Sequence, residues 1–220
     1  MSLTNPVKKT PIEETHSQSI SEVTTNTFVI NLQQAIFDLE VGTYQSKLPN
    51  VESTAEIKAS STRKNKHFLT GTELSAEELK LVLEKAKALK QTPSFYSQAL
   101  AQKSLAMIFE KPSFRTRLSF AMAIQSMGGI AIESVSNTRK QETPADMARV
   151  LNGYVDFIMV RTHADEILQE MAACAKVPII NGLSALHHPC QILADLLSLW
   201  EQFGSLEGLT VAYIGDGNNI

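Results

Sequence analysis

From residue 67 onward, hydrophobic positions form short continuous runs that alternate with longer segments in which they recur at helical spacing. Continuous apolar runs are typical of strands buried on both faces of a sheet. The longer segments place their apolar residues on one side of a helix. Strands that alternate with helices indicate a parallel sheet with helices on both faces. The predicted fold class is therefore α/β, with a four-stranded parallel sheet flanked by helices.

The boundaries of these elements follow from capping and turn residues. The first helix, 72–91, has the capping-box sequence Ser75-Ala-Glu-Glu near its start. A second helix is capped by Ser113, shows apolar periodicity over 118–127 and stops at Gly128-Gly129. The other helices are predicted at 143–154, 164–175 and 189–203, and the strands at 105–109, 129–135, 156–160 and 177–180. A further strand at 209–214 is predicted to begin a second, Rossmann-like domain.

Residues 1–66 differ in composition from the rest of the chain. They are rich in Ser, Thr, Asn, Glu and Lys, with one modest apolar segment at 28–39, so we predict a disordered extension with one short helix. They lack the apolar region of a secretory signal and contain scattered acids, which favours the cytoplasm over the mitochondrial matrix. The predicted domains are this extension (1–66), the α/β domain (67–205) and the start of a second domain (206–220).

Composition and charge argue against several classes of protein. The 220 residues are 43% hydrophobic and 20% charged, as in an ordinary globular enzyme. The net charge of -3 gives no electrostatic basis for binding nucleic acid, and no apolar run approaches the ~20 residues that span a membrane. Cys174 and Cys190 do not make a disulfide framework, which fits a reducing compartment. His187 and His188 lack a second ligand cluster, so neither a metal nor a cofactor is expected.

The predicted strands end in polar segments at 111–117, 137–142, 161–163 and 187–191. Ligands of open α/β sheets bind at this edge. After the first strand, Ser113 begins a helix whose free N–H groups and positive dipole end favour an anion. Arg115 can clamp a phosphate or carboxylate through two hydrogen bonds. The edge is therefore predicted to bind a small, strongly anionic ligand that also has carbonyl and amide-like groups.

Each of these residues alone also has a structural explanation. Arg161 fits a surface ion pair, His188 a helix cap and Gln191 a solvated first-turn residue. Cys190 fits a packed small side chain, since nothing nearby activates it as a thiolate. Their convergence on one edge of one sheet favours the functional interpretation.

Three motifs carry a resemblance to a known family. They are Ser113-Phe-Arg-Thr-Arg117, Met159-Val-Arg-Thr-His163 and His188-Pro-Cys-Gln-Ile-Leu-Ala-Asp195. With Asn181-Gly-Leu183 and the segment 209–219, they resemble the carbamoyl-phosphate domain of the aspartate/ornithine carbamoyltransferase family over roughly 67–220. Arg-Thr-His and the cysteine of His-Pro-Cys-Gln favour the ornithine branch.

The resemblance implies transfer of the carbamoyl group of carbamoyl phosphate to the side-chain amine of ornithine, giving citrulline and phosphate. Fixed hydrogen-bond donors and alignment of the two reactants would lower the barrier without a metal, a cofactor or a covalent nucleophile. The implied catalytic residues are Arg161, His188 and Thr116. The implied carbamoyl-phosphate ligands are Ser113, Phe114, Arg115, Thr116, Arg161, His188 and Gln191; Asn219 matches a position that contacts the amino acid, and Arg117 supports the others.

Three departures from the family pattern qualify this interpretation. Phe114 stands where the family has Thr or a smaller residue, so a hydroxyl to the phosphate is lost while the backbone N–H remains. Asn137 stands where many relatives carry Gln, and the neighbouring Arg139 and Lys140 can supply charge instead. The sequence ends at Ile220, so we expect a fragment that binds carbamoyl phosphate with little turnover.

The resemblance also implies the partners: carbamoyl phosphate, an amino-acid amine and, in the full-length form, two further copies in a homotrimer. Nucleic acid and membrane are not expected. Two alternatives remain open at this point. One is a transcarbamoylase for another amine, such as a modified ornithine or putrescine. The other is a non-catalytic paralogue that binds carbamoyl phosphate.

Overall fold

The computed structural model describes residues 67–134 and 142–215, whose centre is a four-stranded sheet. The strands are β1 (Ser104–Phe109), β2 (Ile130–Ser134), β3 (Phe157–Arg161) and β4 (Ile179–Leu183). They lie in the order β2-β1-β3-β4 and all neighbours pair in parallel. The predicted parallel sheet is confirmed, and the carboxyl ends of all four strands share one edge.

Within the described residues, five α-helices connect and cover these strands. They are α1 (Ala76–Gln91), α2 (Phe114–Ser126), α3 (Pro144–Leu151), α4 (Asp165–Cys174) and α5 (Pro189–Phe203), with a short 3-10 helix at Pro93–Tyr96. The capping box predicted for α1 is complete, because Ser75 and Glu78 each bond the other's backbone N–H. Ser113 caps α2 as predicted. No helix within 67–134 or 142–215 is long and apolar enough to cross a bilayer.

Two apolar layers lie on opposite faces of the sheet. Successive side chains of a strand point to opposite faces, so β1 contributes Leu105, Met107 and Phe109 to one layer and Ala106 and Ile108 to the other. The first layer includes buried residues of α1, α2 and α5. The second includes buried residues of α3 and α4. The continuous apolar run that predicted β1 therefore reflects burial on both faces.

The segment before α1 attaches to the outer side of β4. Phe68 forms a parallel bridge with Ile180, and its backbone exchanges hydrogen bonds with Ile179 and Asn181 at 2.8 Å each. The Phe68 side chain is 2% exposed and joins the layer under α1 and α5. The opposite edge strand, β2, is less protected, since Ile130 and Ile132 are 61% and 51% exposed.

The predicted strand at 209–214 is wrong. Residues 209–214 have no regular secondary structure, and Val211 and Ile214 are exposed. A strand needs a neighbouring strand to pair its backbone groups, and none within the described part of the chain pairs with this segment. Leu206, by contrast, packs against the core. The proposed domain boundary at 206 stays a prediction, and the predictions for 1–66 concern residues outside those described.

Candidate functional site

Three of the four strand ends deliver polar residues to one edge of the sheet. β1 runs through Glu110 into the start of α2, β3 ends at Arg161, and β4 leads through a short loop to His188 and α5. The backbone N–H of Glu110 donates to the Arg161 carbonyl at 2.9 Å, which holds the ends of β1 and β3 side by side. The loop after β2, with Asn137, lies outside the described residues.

The start of α2 forms the first wall of the site. Ser113 has an extended backbone, and its hydroxyl accepts from the Thr116 N–H at 3.3 Å. The N–H groups of Phe114 and Arg115 belong to the first turn and have no intrahelical acceptor. The Phe114 ring is 75% exposed. What Phe114 offers to an anion at this helix start is therefore its backbone N–H.

Arg161 faces this wall from the end of β3. Its Nη1 donates to the Thr116 hydroxyl at 3.1 Å. Its Nε is buried and finds no hydrogen-bond partner within the described residues. Burial, followed by the nearby positive charge of Arg115, lowers the pKa of Arg161. The positive charge of Arg115 thus acts on Arg161, and a bound anion would relieve this repulsion.

Arg117, the second arginine of the α2 motif, forms contacts with the strands. Arg117 pairs with the carboxylate of Glu133 at 2.8 Å, and its guanidinium lies over the Phe109 ring at 4.8 Å. These contacts fasten α2 to the ends of β1 and β2. The supporting role of Arg117 toward a ligand stays a prediction.

His188 lies immediately before α5, whose start forms the second wall of the site. Its Nδ1 is buried and has no hydrogen-bond partner within the described residues. Burial, followed by the charge of Arg161, lowers the pKa of His188 to about 4. The ring is therefore neutral at pH 7 and can donate a hydrogen bond from one nitrogen only. His188 is the N-cap residue of α5, as the structural alternative predicted, but its side chain makes no cap hydrogen bond, so the ring takes no part in capping.

The titration of His188 can be measured directly. In an NMR titration of histidine-labelled protein, the His188 ring should gain its second proton near pH 4 rather than near 6.5. Replacing Arg161 by Gln should raise the pKa of His188 only in part, since burial is the larger cause. A wild-type midpoint near 6.5 would contradict the buried, neutral ring.

Gln191 and Cys190 follow His188 in the first turn of α5. Gln191 donates from Nε2 to Asp195 at 2.9 Å, which orients its amide oxygen as the free acceptor. Cys190 is 3% exposed and donates to the Asn181 carbonyl at 3.4 Å. Burial raises the pKa of its thiol to about 12. The packing interpretation of Cys190 is therefore favoured over a nucleophile.

Two acids that the sequence did not single out hold the loops of the site. Glu110 accepts hydrogen bonds from the Thr162 hydroxyl and the His163 N–H. Asp165 accepts from three groups of the loop that precedes His188. Asp165 and its partners are about 20 residues apart, so no local pattern reveals them. For Glu110 a signal exists, because it directly follows a predicted strand.

The structure thus brings the α2 start, Arg161 and the α5 start to one edge, as the sequence predicted. Asn219, the candidate contact for an amino-acid substrate, lies outside the described residues, as do Arg139 and Lys140. The roles of the individual side chains toward a ligand stay predictions.

Comparisons with known proteins identify the same region. A family model described as aspartate/ornithine carbamoyltransferase, carbamoyl-P binding domain, matches residues 66–201. The ornithine carbamoyltransferase of Listeria monocytogenes serovar 1/2a is 46% identical over 165 residues, which cover 74% of this chain and 52% of that protein. The chain spans about half the length of the curated relatives it matches.

Solved structures agree with the sequence matches. Ornithine carbamoyltransferase from Pyrococcus furiosus is 44% identical with a TM-score of 0.67, and the match covers 70% of this chain and 51% of that one. The ornithine carbamoyltransferase structure from Burkholderia thailandensis E264 is 42% identical with a TM-score of 0.66, over 70% and 55% of the two chains.

Proposed function

The chain belongs to the aspartate/ornithine carbamoyltransferase family through its carbamoyl-phosphate-binding domain, and from this premise we propose that its sheet edge binds carbamoyl phosphate. The observation that carries the proposal is the pair of buried, unpartnered nitrogens, Arg161 Nε and His188 Nδ1, within the described residues. Leaving such groups without a partner costs about 1–3 kcal/mol each. A ligand with acceptor oxygens that binds beside both side chains can offer partners to them.

The proposed binding mode assigns each wall one part of the ligand. The phosphate lies at the α2 start, held by the N–H groups of the first turn and by Arg115. Arg161 bridges phosphate and carbonyl oxygen. Its Nη1 contacts Thr116, and Thr116 is proposed to bind both of these groups. His188 and Thr116 donate to the carbonyl, and the Gln191 amide oxygen accepts from the carbamoyl NH2. The phosphate ligands are Ser113, Phe114, Arg115, Thr116 and Arg161.

This arrangement supplies what carbamoyl transfer needs. A neutral amine that attacks the carbamoyl carbon places negative charge first on the carbonyl oxygen and then on the departing phosphate. Donors fixed beside both oxygens stabilise that charge as it forms. Arg161 can serve both oxygens, while His188 serves the carbonyl as a neutral donor. Holding the phosphate at a helix start also aligns the leaving group with the attacking amine.

Calorimetric titration with carbamoyl phosphate tests the proposal. We expect saturable binding to one site per chain, and weaker binding of inorganic phosphate, which has no carbonyl. Acetyl phosphate is the control ligand for the role of Gln191, because it lacks the carbamoyl NH2 that Gln191 is proposed to bind. Gln191→Leu should therefore weaken carbamoyl phosphate more than acetyl phosphate. Equal, non-saturable heats for all three ligands would overturn the proposal.

The acceptor amine is proposed to be ornithine, because the relatives described above are named ornithine carbamoyltransferase. An assay of amine-dependent phosphate release from carbamoyl phosphate, with ornithine, N-acetylornithine and putrescine as acceptors, tests this choice. Transfer to N-acetylornithine or putrescine in preference to ornithine would contradict this choice. A cytoplasmic location is proposed together with this activity.

Self-association is proposed through the exposed edge strand. Ile130 and Ile132 lie on one face of β2, two residues apart, and are 61% and 51% exposed. A second copy of this chain would cover that apolar surface, and the proposed assembly is a homotrimer.

Ile132→Lys is expected to shift the chain toward the monomer in sedimentation velocity, because a lysine at the contact would bury a charge. Val150→Lys is the matched control, since Val150 is also an exposed apolar residue, at 54%, but lies on α3. Identical sedimentation of both variants and the wild type would contradict the proposed interface.

A further inference from the structure

The loop between β4 and α5 is held by the carboxylate of Asp165, the first residue of α4. One oxygen of Asp165 accepts from the Ser184 hydroxyl and from His187 Nδ1, each at 2.6 Å. The other oxygen accepts from the Leu186 N–H at 3.0 Å. The Asp165 side chain is only 13% exposed. A single acid on one helix thus holds three points of a loop that belongs to another part of the chain.

The same loop fixes the backbone on both sides of His188. The His187 carbonyl accepts from the Ser184 N–H at 3.0 Å and from the Asn181 side chain at 3.3 Å. The His188 carbonyl accepts the first helical hydrogen bond of α5, from the Gln191 N–H at 3.0 Å. The His188 Nδ1, by contrast, has no partner within the described residues. The orientation of the ring is therefore set largely through the backbone.

Asp165 accepts these hydrogen bonds as a charged carboxylate. Burial by itself raises the pKa of Asp165, but the hydrogen bonds from His187, Ser184 and the Leu186 N–H outweigh it and hold the pKa below its ordinary value. A carboxylate only accepts, so His187 Nδ1 is the donor in this contact. Hydrogen bonds to a charged acceptor are shorter and stronger than neutral ones, which suits a rigid loop.

We propose that Asp165 is a positioning residue, which fixes the Ser184–His187 loop and thereby aims the His188 ring at the carbonyl of the bound carbamoyl group. This role rests on the proposed function, because it assigns His188 a ligand. Asp165 acts through the loop and needs no contact with the ligand itself. The proposal adds a residue outside the three motifs to the machinery of the site.

Two measurements on Asp165→Ala test the proposal. Carbamoyl-phosphate affinity should fall about tenfold, the factor produced by losing one well-placed hydrogen bond. In a histidine NMR titration, the pKa of His188 should rise from about 4 toward 6.5, because a loosened loop lets water reach the ring. Arg161, the charged neighbour that also lowers this pKa, is unchanged in the variant.

The matched control is Asp146→Ala. Asp146 lies in the first turn of the neighbouring helix α3 and bonds Thr143 and Arg149, so its loss also removes local hydrogen bonds. It makes no contact with the loop before His188 in the described structure. We expect Asp146→Ala to leave both the affinity and the pKa of His188 unchanged. If Asp165 had only a structural role, Asp165→Ala and Asp146→Ala would behave alike in both measurements.

Variants of His187 extend the test in case Asp165→Ala does not fold. His187→Leu removes one donor to Asp165 and should produce part of both effects. His187→Asn, whose side-chain NH2 can replace Nδ1–H as the donor, should restore them. Wild-type values in a folded Asp165→Ala or in His187→Leu would overturn the proposal.

The failures of the two proposals are distinguishable. Absence of carbamoyl-phosphate binding by the wild type contradicts the proposed function. The NMR titration of His188 needs no ligand, so it still decides whether Asp165 positions the ring.

Discussion

Replacing Arg161 by glutamine is expected to weaken carbamoyl-phosphate binding about a hundredfold, because two charge-assisted hydrogen bonds are lost. Arg161 is the residue proposed to contact both the phosphate and the carbonyl oxygen. It is half-buried, it contacts Thr116, and the positive charge of Arg115 acts on it. Isothermal titration calorimetry measures the loss, and the NMR spectrum of the variant reports whether the fold is retained.

Two further variants accompany this measurement: one tests whether the positive charge at position 161 is sufficient, and the other is a control. Arg161→Lys keeps the positive charge but loses the planar fork of donors, so an intermediate loss of affinity is expected. Arg149→Gln is the control, because this arginine pairs with Asp146 on the surface of α3, away from the site. Equal affinities of Arg161→Gln and Arg149→Gln would remove Arg161 from the proposed site.

Asn181→Ala is expected to lower the free energy of unfolding by about 2–4 kcal/mol, because it leaves the Leu69 carbonyl and the Leu183 N–H without their side-chain partner. Asn181 is fully buried in β4. Its Nδ2 donates to the Leu69 carbonyl at 2.7 Å, and its Oδ1 accepts from the Leu183 N–H at 2.9 Å. The residue thus joins the segment before α1 to the end of β4. Urea denaturation followed by circular dichroism measures the loss.

Asn152 provides the matched control for this prediction. It makes the same two kinds of bond, to the Cys174 carbonyl and from the Lys176 N–H, but at a half-exposed position after α3. Water can replace these bonds, so Asn152→Ala should cost only about 1 kcal/mol. Equal losses for the two variants would show that burial of the Asn181 network contributes little.

The agreement between sequence and structure has a physical basis that β1 and β3 illustrate. Both are buried on both faces, so their apolar runs are continuous, and the predicted ends agree with the observed ones to within one residue. β4 was predicted at 177–180 but lies at Ile179–Leu183. Asn181 and Gly182 resemble loop residues, yet the Asn181 side chain finds partners inside the protein, which only the tertiary structure supplies.

In the candidate site, too, some residues could be predicted from the sequence and others could not. Arg161 and His188 follow predicted strands, and parallel strands bring their carboxyl ends together, so their proximity could be inferred from the order of elements. Asp165 could not be found in this way. Its partners Ser184 and His187 belong to another loop, and which acid faces that loop depends on how α4 packs on the sheet. Residues that act through contacts between distant segments leave no local spacing in the sequence.

The low pKa of His188 has a consequence for how the site responds to its surroundings. Between about pH 6 and 8 the histidine stays uncharged. His188 therefore contributes no change of charge to the pocket over the physiological range. A phosphate group, with a second pKa of about 6, changes its own charge there. Protonation of the ligand, and not of His188, is therefore expected to change the affinity in this range.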